Sequence, residues 1–399
     1  VENKSKRQSD TDLYIGIMTG TSLDGIDACL CRFVIGSLIS GEGKIDILGA
    51  VAMPFPESLR SILFSLASEQ FVDLDLLVRT HFLLPTLYAE AVEKLLHESG
   101  VSERDVRAIG LHGQTIRHLP KPERIANDLR PVGATLQLGS GAALAALVGI
   151  DVVSDFRSGD VALGGQGAPL VPMFDAAFLR SPSEDRILLN IGGISNLTYL
   201  PSSSSPEILA FDCGPGNMLI DALAQKYYGK PFDDDGKIAA SGKPDTALLN
   251  ELLAHEYFLT PPPKSTGREL FGEDFFKLFL SRIESGSLTT ADALATATTL
   301  TAEAVAVAID WIQAHSATSD TKLLIVSGGG AKNRKLLEEL RRATKLRVTT
   351  SDTLGIPVSL KEAIAFAFFA KARVESIVIH LTSTTGASKA IVLGSLSKG

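Results

Sequence analysis

The residues able to do chemistry in this chain cluster beside glycines. The first cluster is TGTSLDGID, where Gly20 and Gly25 bracket the hydroxyls of Thr21 and Ser22 and the carboxylate of Asp24, between two apolar runs. A glycine-containing hairpin turn can aim backbone N–H groups at an anion, because little side-chain bulk keeps a phosphate away. The hydroxyls add donors, and a carboxylate beside a phosphate calls for a metal ion between them. The alternative is an ordinary hairpin with a Gly/Asp turn. NIGGISN (190–196) is a second turn of the same kind, carrying Gly192, Gly193 and Asn196. Two such hairpins could clamp a polyphosphate and stabilise its charge. Asp212 follows the apolar run EILAF and opens DCGPGN, with Gly214 and Gly216 leaving space beside it. A carboxylate at the carboxyl end of a strand is well placed as a general base; capping the next helix is the plainer role.

Other stretches could contact a ligand. SGGGAKN brings Gly328, Gly329, Gly330 and Asn333 to a strand-to-helix turn, where a flat ring or a phosphate can come close. It lacks both the Lys-Ser/Thr ending of a P-loop and GxGxxG spacing. HGQT holds His112, Gln114 and Thr115, and the polar loop SDFRSGDVALGGQGAPL holds Asp155, Arg157, Asp160 and Gln166. Lys264 or Arg268 of PKSTGRE could reach a phosphate or simply edge a solvated loop. Glu362 heads an apolar helix, a position that favours Glu in any case.

Positioning these groups takes a particular run of elements. Leu13–Met18, a strand after the first turn and Lys44–Met53 read as three strands. Helical patterns follow at Leu59–Ser68 and Asp73–Ser99, then a strand at Val106–His112, a helix at Gly141–Val148 and a strand at Asp151–Ser154. The design then repeats, with strand, Gly turn and strand over Arg186–Leu200, a third strand at Glu207–Phe211 and a helix from Met218. Helices are expected at 246–258, 273–284, Thr290–His315, Arg334–Arg342 and Lys361–Ser376, with strands at Leu323–Val326 and Leu346–Thr349. The repetition points to two similar α/β domains around a cleft, 13–151 plus 372–399 and 152–371.

Composition bounds the rest. The 399 residues are 45% hydrophobic with a net charge of −8, and mean hydropathy is +0.19. These values suit a globular chain of two domains. No Lys/Arg run makes a nucleic-acid patch, and no uninterrupted apolar run reaches the ~18 residues of a membrane span. Three cysteines without CxxC pairing argue against a disulfide framework or zinc site and fit a reducing cytoplasm. Residues 1–12 are a polar lead-in without a signal peptide's apolar core.

Taken in order, GTSLDGID, HGQT, the DFR to GGQGAPL stretch, NIGGISN, FDCGPGN, PKSTGRE, SGGGAKN and KEAIAF resemble the motifs of the anhydro-N-acetylmuramic acid kinases, from about residue 13 to 395. The resemblance implies two ribonuclease-H-like domains of the actin/sugar-kinase/chaperone ATPase superfamily, with ATP and Mg²⁺. It implies that the family's reaction opens the 1,6-anhydro ring with water and phosphorylates O6. It assigns Gly20, Thr21, Ser22, Leu23, Asp24, Gly25, Ile26 and Asp27 to the ATP phosphate loop, with Asp24 and Glu362 near Mg²⁺. Gly192, Gly193, Asn196, Gly328, Gly329, Gly330 and Asn333 would border the nucleotide. Asp212 would activate the water, with Glu362 by the metal or the water. His112, Gln114, Thr115, Asp155, Arg157, Gln166 and Gly214 are the candidates for the sugar, and Arg157 or Arg117 for its lactyl carboxylate. The expected partners are a 1,6-anhydrosugar and ATP, without nucleic acid or membrane; a homodimer is left open. Rival readings are a levoglucosan-type kinase and a non-sugar ATPase of the same superfamily.

Overall fold

The computed structural model describes residues 12–20, 22–69, 71–202, 208–262, 264–315, 321–380 and 382–399. Thr21 of the first turn, the lead-in 1–11, Glu207, Pro263 and most of the serine-rich loop after Pro201 lie outside the described residues, as does the side chain of Arg268.

The chain opens with β1 (Leu13–Met18), β2 (Gly25–Val34) and β3 (Lys44–Pro54), followed by α1 (Glu57–Ser68) and α2 (Leu74–Ser99). Then come β4 (Val106–Leu111), the hairpin β5 (Gln114–Glu123) and β6 (Val132–Leu138), α3 (Gly141–Val148), β7 (Val152–Ser154), α4 (Ser158–Ala162) and α5 (Pro172–Leu179). The pattern restarts with β8 (Asp185–Ile191), β9 (Ile194–Leu200) and β10 (Leu209–Pro215). Helices α6 (Met218–Tyr228), α7 (Thr246–Leu253), α8 (Glu256–Leu259), α9 (Glu273–Glu284) and α10 (Thr290–His315) lead to β11 (Thr321–Ser327). The chain closes with α11 (Arg334–Thr344), β12 (Arg347–Thr350), α12 (Lys361–Val374) and β13 (Ser395–Ser397).

Two compact units result, one running to Leu179 and taking back Leu360–Gly399, the other Arg180–Ser359. The sheet of the first has the order β13-β7-β4-β1-β2-β3, that of the second β10-β9-β8-β11-β12. In both, three strands form an antiparallel meander and two more run parallel to the first. This is the ribonuclease-H-like order, built twice, as the duplicated hairpins predict.

Each unit packs a largely buried helix on its sheet. α12 buries Ile364, Phe366, Phe368 and Phe369, as a central helix must. It comes close because Gly16 of β1 and Gly110 of β4 pair in register: a Cβ at Gly16 would sit 1.8 Å from the Ala363 carbonyl oxygen, and one at Gly110 1.9 Å from that of Phe366. In the second unit α10 has the length and composition of a membrane span, yet 83% of its most apolar window is buried in the unit. That is the signature of a core helix.

The structure moves several expected boundaries. The divisions fall at 179/180 and 359/360 rather than 151/152 and 371/372. Phe174 and Phe178 of α5 pack on Phe368 of α12, and Phe178 also packs on Phe33 of β2, so both helices belong whole to the first unit. Asp212 lies inside β10, which runs on to Pro215. The expected helix over 246–258 breaks where the His255 side chain caps α8, and α12 ends at Val374.

Candidate active site

In the first unit the β1–β2 turn is held by its carbonyls. Gly20 O accepts from Gln114 Nε2 at 3.2 Å and from the Leu23 amide at 3.2 Å. Leu23 O accepts from Arg60 Nε at 3.2 Å, and Asp24 O accepts from the Phe55 amide at 3.0 Å. Leu23 has a φ of 60° and buries its side chain, anchoring the turn from beneath. Gly25 is obligatory, since its Cβ would stand 2.2 Å from Met53 O. Ser22 and Asp24 are exposed, Ile26 is buried and Asp27 half-buried.

Glu362, in the first turn of α12, is the carboxylate toward which the neighbouring charges converge. Burial pushes its carboxyl above the ordinary value; Arg157 and Lys361 pull it back, and Asp27 adds to the rise. The carboxylate that acts on Glu362 is thus Asp27, with Asp24 exposed on the turn. Lys361 is nearly fully buried and pairs at 2.9 Å with Asp175 of α5, itself buried, fixing the start of the helix.

Arg157 lies beside this cluster, where burial lowers its pKa to about 10 and Glu362 and Asp160 work to raise it, so it stays cationic at neutral pH. It donates to His112 Nε2 (2.9 Å from Nη2) and to Gly167 O (2.8 Å from Nη1). Burial, then the charge of Arg157, push the His112 imidazole down to about 3, so the ring is neutral and accepts at Nε2. His112 also packs on Phe366 of α12, with centroids 4.7 Å apart. The loop after Arg157 folds around Asp160, 1% exposed, which accepts from the Gly167 amide and the Thr385 hydroxyl, both at 2.7 Å. Gln166 is exposed on it; Asp155, just ahead of Arg157, is also exposed and has a φ of 55°. Thr115 accepts from Gln137 Nε2 at 3.4 Å. Arg117 is committed elsewhere: its guanidinium donates to the carbonyls of Ala67 and Glu69 at the end of α1.

In the second unit four strands line up one polar row. Ser327 of β11 pairs with Asn190 of β8, Asn190 with Asn196 of β9, and Asn196 with Asp212 of β10. Directly paired residues project to the same face of a sheet, so the carboxylate shares its face with two amides. The register shifts between Asp212 and Gly214, so Cys213 is the bulged residue; it is buried, and burial holds its thiol protonated. The segment after α8 grips Asp212. Thr266 N–H donates to Asp212 Oδ2 at 2.9 Å, Asp212 N–H to Lys264 O at 3.2 Å, and Tyr257 OH to Asp212 O at 2.9 Å. Lys264 itself is turned to Tyr257, donating to its carbonyl at 2.9 Å and lying 4.6 Å over its ring. PKSTGRE therefore supplies backbone support to a carboxylate, a role its composition did not disclose.

The Gly192–Gly193 turn is joined to α6: Gly192 O accepts from the Asn217 amide and Gly193 O from the Gly216 amide, both at 2.8 Å. A Cβ at Gly328 would stand 2.5 Å from Asn190 Oδ1, and one at Gly330 2.5 Å from Ile191 Cγ2, while Gly329 is exposed. Asn333 caps α11, its side chain accepting from the Leu336 amide at 3.0 Å. Gly214, with a φ of 150°, lies against Phe258, leaving no room for a Cβ.

The first unit thus gathers Gln114, His112, Arg157, Asp27 and Glu362 about one turn and one helix start; the second gathers Asn190, Asn196 and Asp212 beside two glycine turns. Among the described residues no three His, Cys, Asp or Glu side chains form a metal cluster.

Comparison with known proteins adds four findings. The sequence model of the anhydro-N-acetylmuramic acid kinase family matches residues 12–399. The chain is similar to the anhydro-N-acetylmuramic acid kinase of Salinibacter ruber, 42% identical over 96% of this chain and 95% of that one. It is similar to that of Cupriavidus pinatubonensis, 44% identical over 96% and 98%. Among solved structures it is similar to component A of the Acidaminococcus fermentans (R)-2-hydroxyglutaryl-CoA dehydratase, at 12% identity and a TM-score of 0.48 over 91% of this chain and 99% of that one; the strand order above is what carries the fold.

Proposed function

Because the chain belongs to the anhydro-N-acetylmuramic acid kinase family, we infer how its residues divide the work of an ATP-dependent kinase of that sugar, in peptidoglycan recycling. The observation that carries the reading is Asp212, held at its backbone and with Oδ2 accepting from the Thr266 amide, in a row with two amides. Its carboxylate takes a proton from water as that water attacks C1 of the anhydrosugar opposite the bridging oxygen, the geometry of an inverting glycosidase. The C1–O6 bond breaks, O6 takes the γ-phosphoryl group, and N-acetylmuramate 6-phosphate and ADP leave. Phosphoryl transfer neutralises O6, so no second acid is required.

The β1–β2 turn and the second unit's glycine turns are the phosphate and nucleotide contacts in this reading. Arg157 is the cation for the lactyl carboxylate, supported by its retained charge and by Arg117 being engaged with carbonyls. Mg²⁺ is a hard ion that takes one or two carboxylates and completes its shell with water and phosphate oxygens. Asp27 and Glu362, coupled through their charges, fit that donor set better than exposed Asp24. When bound, the ion would neutralise phosphate charge. The free, buried thiols Cys29, Cys31 and Cys213 suit a reducing cytoplasm.

The test is ADP release at fixed Mg-ATP with 1,6-anhydro-N-acetylmuramate, with levoglucosan, or with no sugar. Release driven by the muramate and weak with levoglucosan is expected. Preference for levoglucosan would remove the lactyl role from Arg157, and release indifferent to either sugar would overturn the role of Asp212.

A further inference from the structure

The second unit carries a cavity on the side of its sheet away from the polar row. Phe211 and Asp212 are successive residues of β10, so their side chains leave the strand on opposite faces. Asp212 shares one face with Asn196 and Asn190. Phe211 is buried on the other, edge-to-face with Trp311 of α10 at 6.3 Å between ring centroids. Together with these two rings, Phe258, Pro262, Val307 and Lys264 form most of the wall of a cavity of about 140 Å³. That is close to the ~150 Å³ of an apolar cavity that takes up benzene. Thr260 and Val307, which both line it, are exposed, so the cavity opens to solvent there.

The charged group of this wall is Lys264. Its ammonium lies 4.6 Å over the Tyr257 ring and donates to the Tyr257 carbonyl at 2.9 Å, which engages one of the three N–H donors of a lysine. Among the described residues no carboxylate pairs with it; burial lowers its pKa, and only the Cys213 thiol works against that. A half-buried cation on an aromatic wall, without a counter-charge, calls for an anion with an apolar body. We propose that the cavity is a second binding site of the chain, for a small carboxylic acid built on one flat ring, the ring against Phe211, Phe258 and Trp311 and the carboxylate on Lys264. A neutral ring leaves the ammonium without its counter-charge, and an inorganic anion leaves the aromatic wall wet, so the two halves of the site select one class of ligand. The cavity also reaches the catalytic carboxylate from behind. Lys264 O accepts from the Asp212 amide at 3.2 Å, and Thr266 N–H donates to Asp212 Oδ2. An occupant that draws on the ammonium therefore acts on the segment that holds Asp212.

Trp311 is the only tryptophan of the chain, so its fluorescence reports on the cavity. Titration of the full chain with sodium benzoate at fixed pH should change that fluorescence along a saturating curve. Benzyl alcohol should bind about tenfold more weakly or worse, and acetate should give no saturating change. Lys264→Met should weaken benzoate about tenfold or more and leave benzyl alcohol within a few-fold of the wild type, which also shows that the cavity is intact. Val307→Phe, which fills the cavity from its exposed side, should abolish saturation by both. Saturating ATP should leave the benzoate curve in place. A benzoate response that rises without saturating, or one indifferent to both Lys264→Met and Val307→Phe, would overturn the site. Equal affinities for benzoate and benzyl alcohol would overturn the choice of a carboxylic acid, and displacement of benzoate by ATP would overturn the separateness of the cavity from the nucleotide site.

Discussion

Gly16 and Gly110 sit side by side on adjacent strands, and α12 passes over both with its backbone where their β-carbons would be. Two absent methyl groups thus set the depth of the helix that carries Lys361 and Glu362, and with it the position of Glu362 beside Asp27 and Arg157.

Gly16→Ala should consequently lower stability by about 1–3 kcal/mol or more, because a methyl group 1.8 Å from a carbonyl oxygen forces helix and sheet apart. Thermal unfolding would show it. ADP release should fall in the same variant; a stable, fully active variant would mean that α12 can shift without moving the site.

Asp212→Asn keeps an acceptor for the Thr266 amide and removes the basic oxygen. Turnover should drop about 10²-fold or more, while calorimetric titration with ATP alone should give an affinity within a few-fold of the wild type. Turnover within a few-fold of normal would take the base role away from Asp212.

Replacing Arg157 separates the two sugars. Arg157→Gln should raise KM for the lactyl-bearing substrate about tenfold or more, as expected for a lost charge-assisted contact, and leave the weak reaction with levoglucosan nearly unchanged. An equal effect on both sugars would point to the support Arg157 gives His112 and Gly167 instead.

Asp27→Asn should shift the Mg²⁺ activation curve to higher concentration, and Asp24→Asn should shift it less. A larger shift with Asp24→Asn would put the ion on the turn.

His112 ties stability to pH. In the unfolded chain a histidine takes up its proton near pH 6.5, whereas in the folded protein burial and Arg157 delay this to about 3. The folded value is depressed, so this contribution is fully present above about pH 6.5 and is lost as pH falls toward 3. Melting temperatures from pH 8 downward should decline less steeply in His112→Asn than in the wild type; parallel declines would assign the acid sensitivity to other groups.

The meanders and their glycine turns were legible because apolar runs broken by TGTSLDG and NIGGISN leave few other foldings. The β5–β6 hairpin was not, since Pro120, Pro122 and the charged residues between the strands read as loop. Nor was α5, eight residues opening on a proline. Asp212, Arg157 and Glu362 stand out in the sequence by motif, but the groups around them do not. That Asp27 and not Asp24 acts on Glu362 depends on register in β2, and that Arg117 is spent on Ala67 and Glu69 depends on where α1 ends. Both are long-range placements, which local pattern does not encode.

The Lys361–Asp175 pair has a consequence for how this sequence can drift. Stripping either charge alone strands the other in the interior, at a cost of about 3–5 kcal/mol, while exchanging both for apolar residues of similar volume is close to neutral. The two positions, far apart in the chain, form one heritable unit: each is frozen by the other even if the pair adds little net stability, and variation at position 175 should be found only together with variation at position 361.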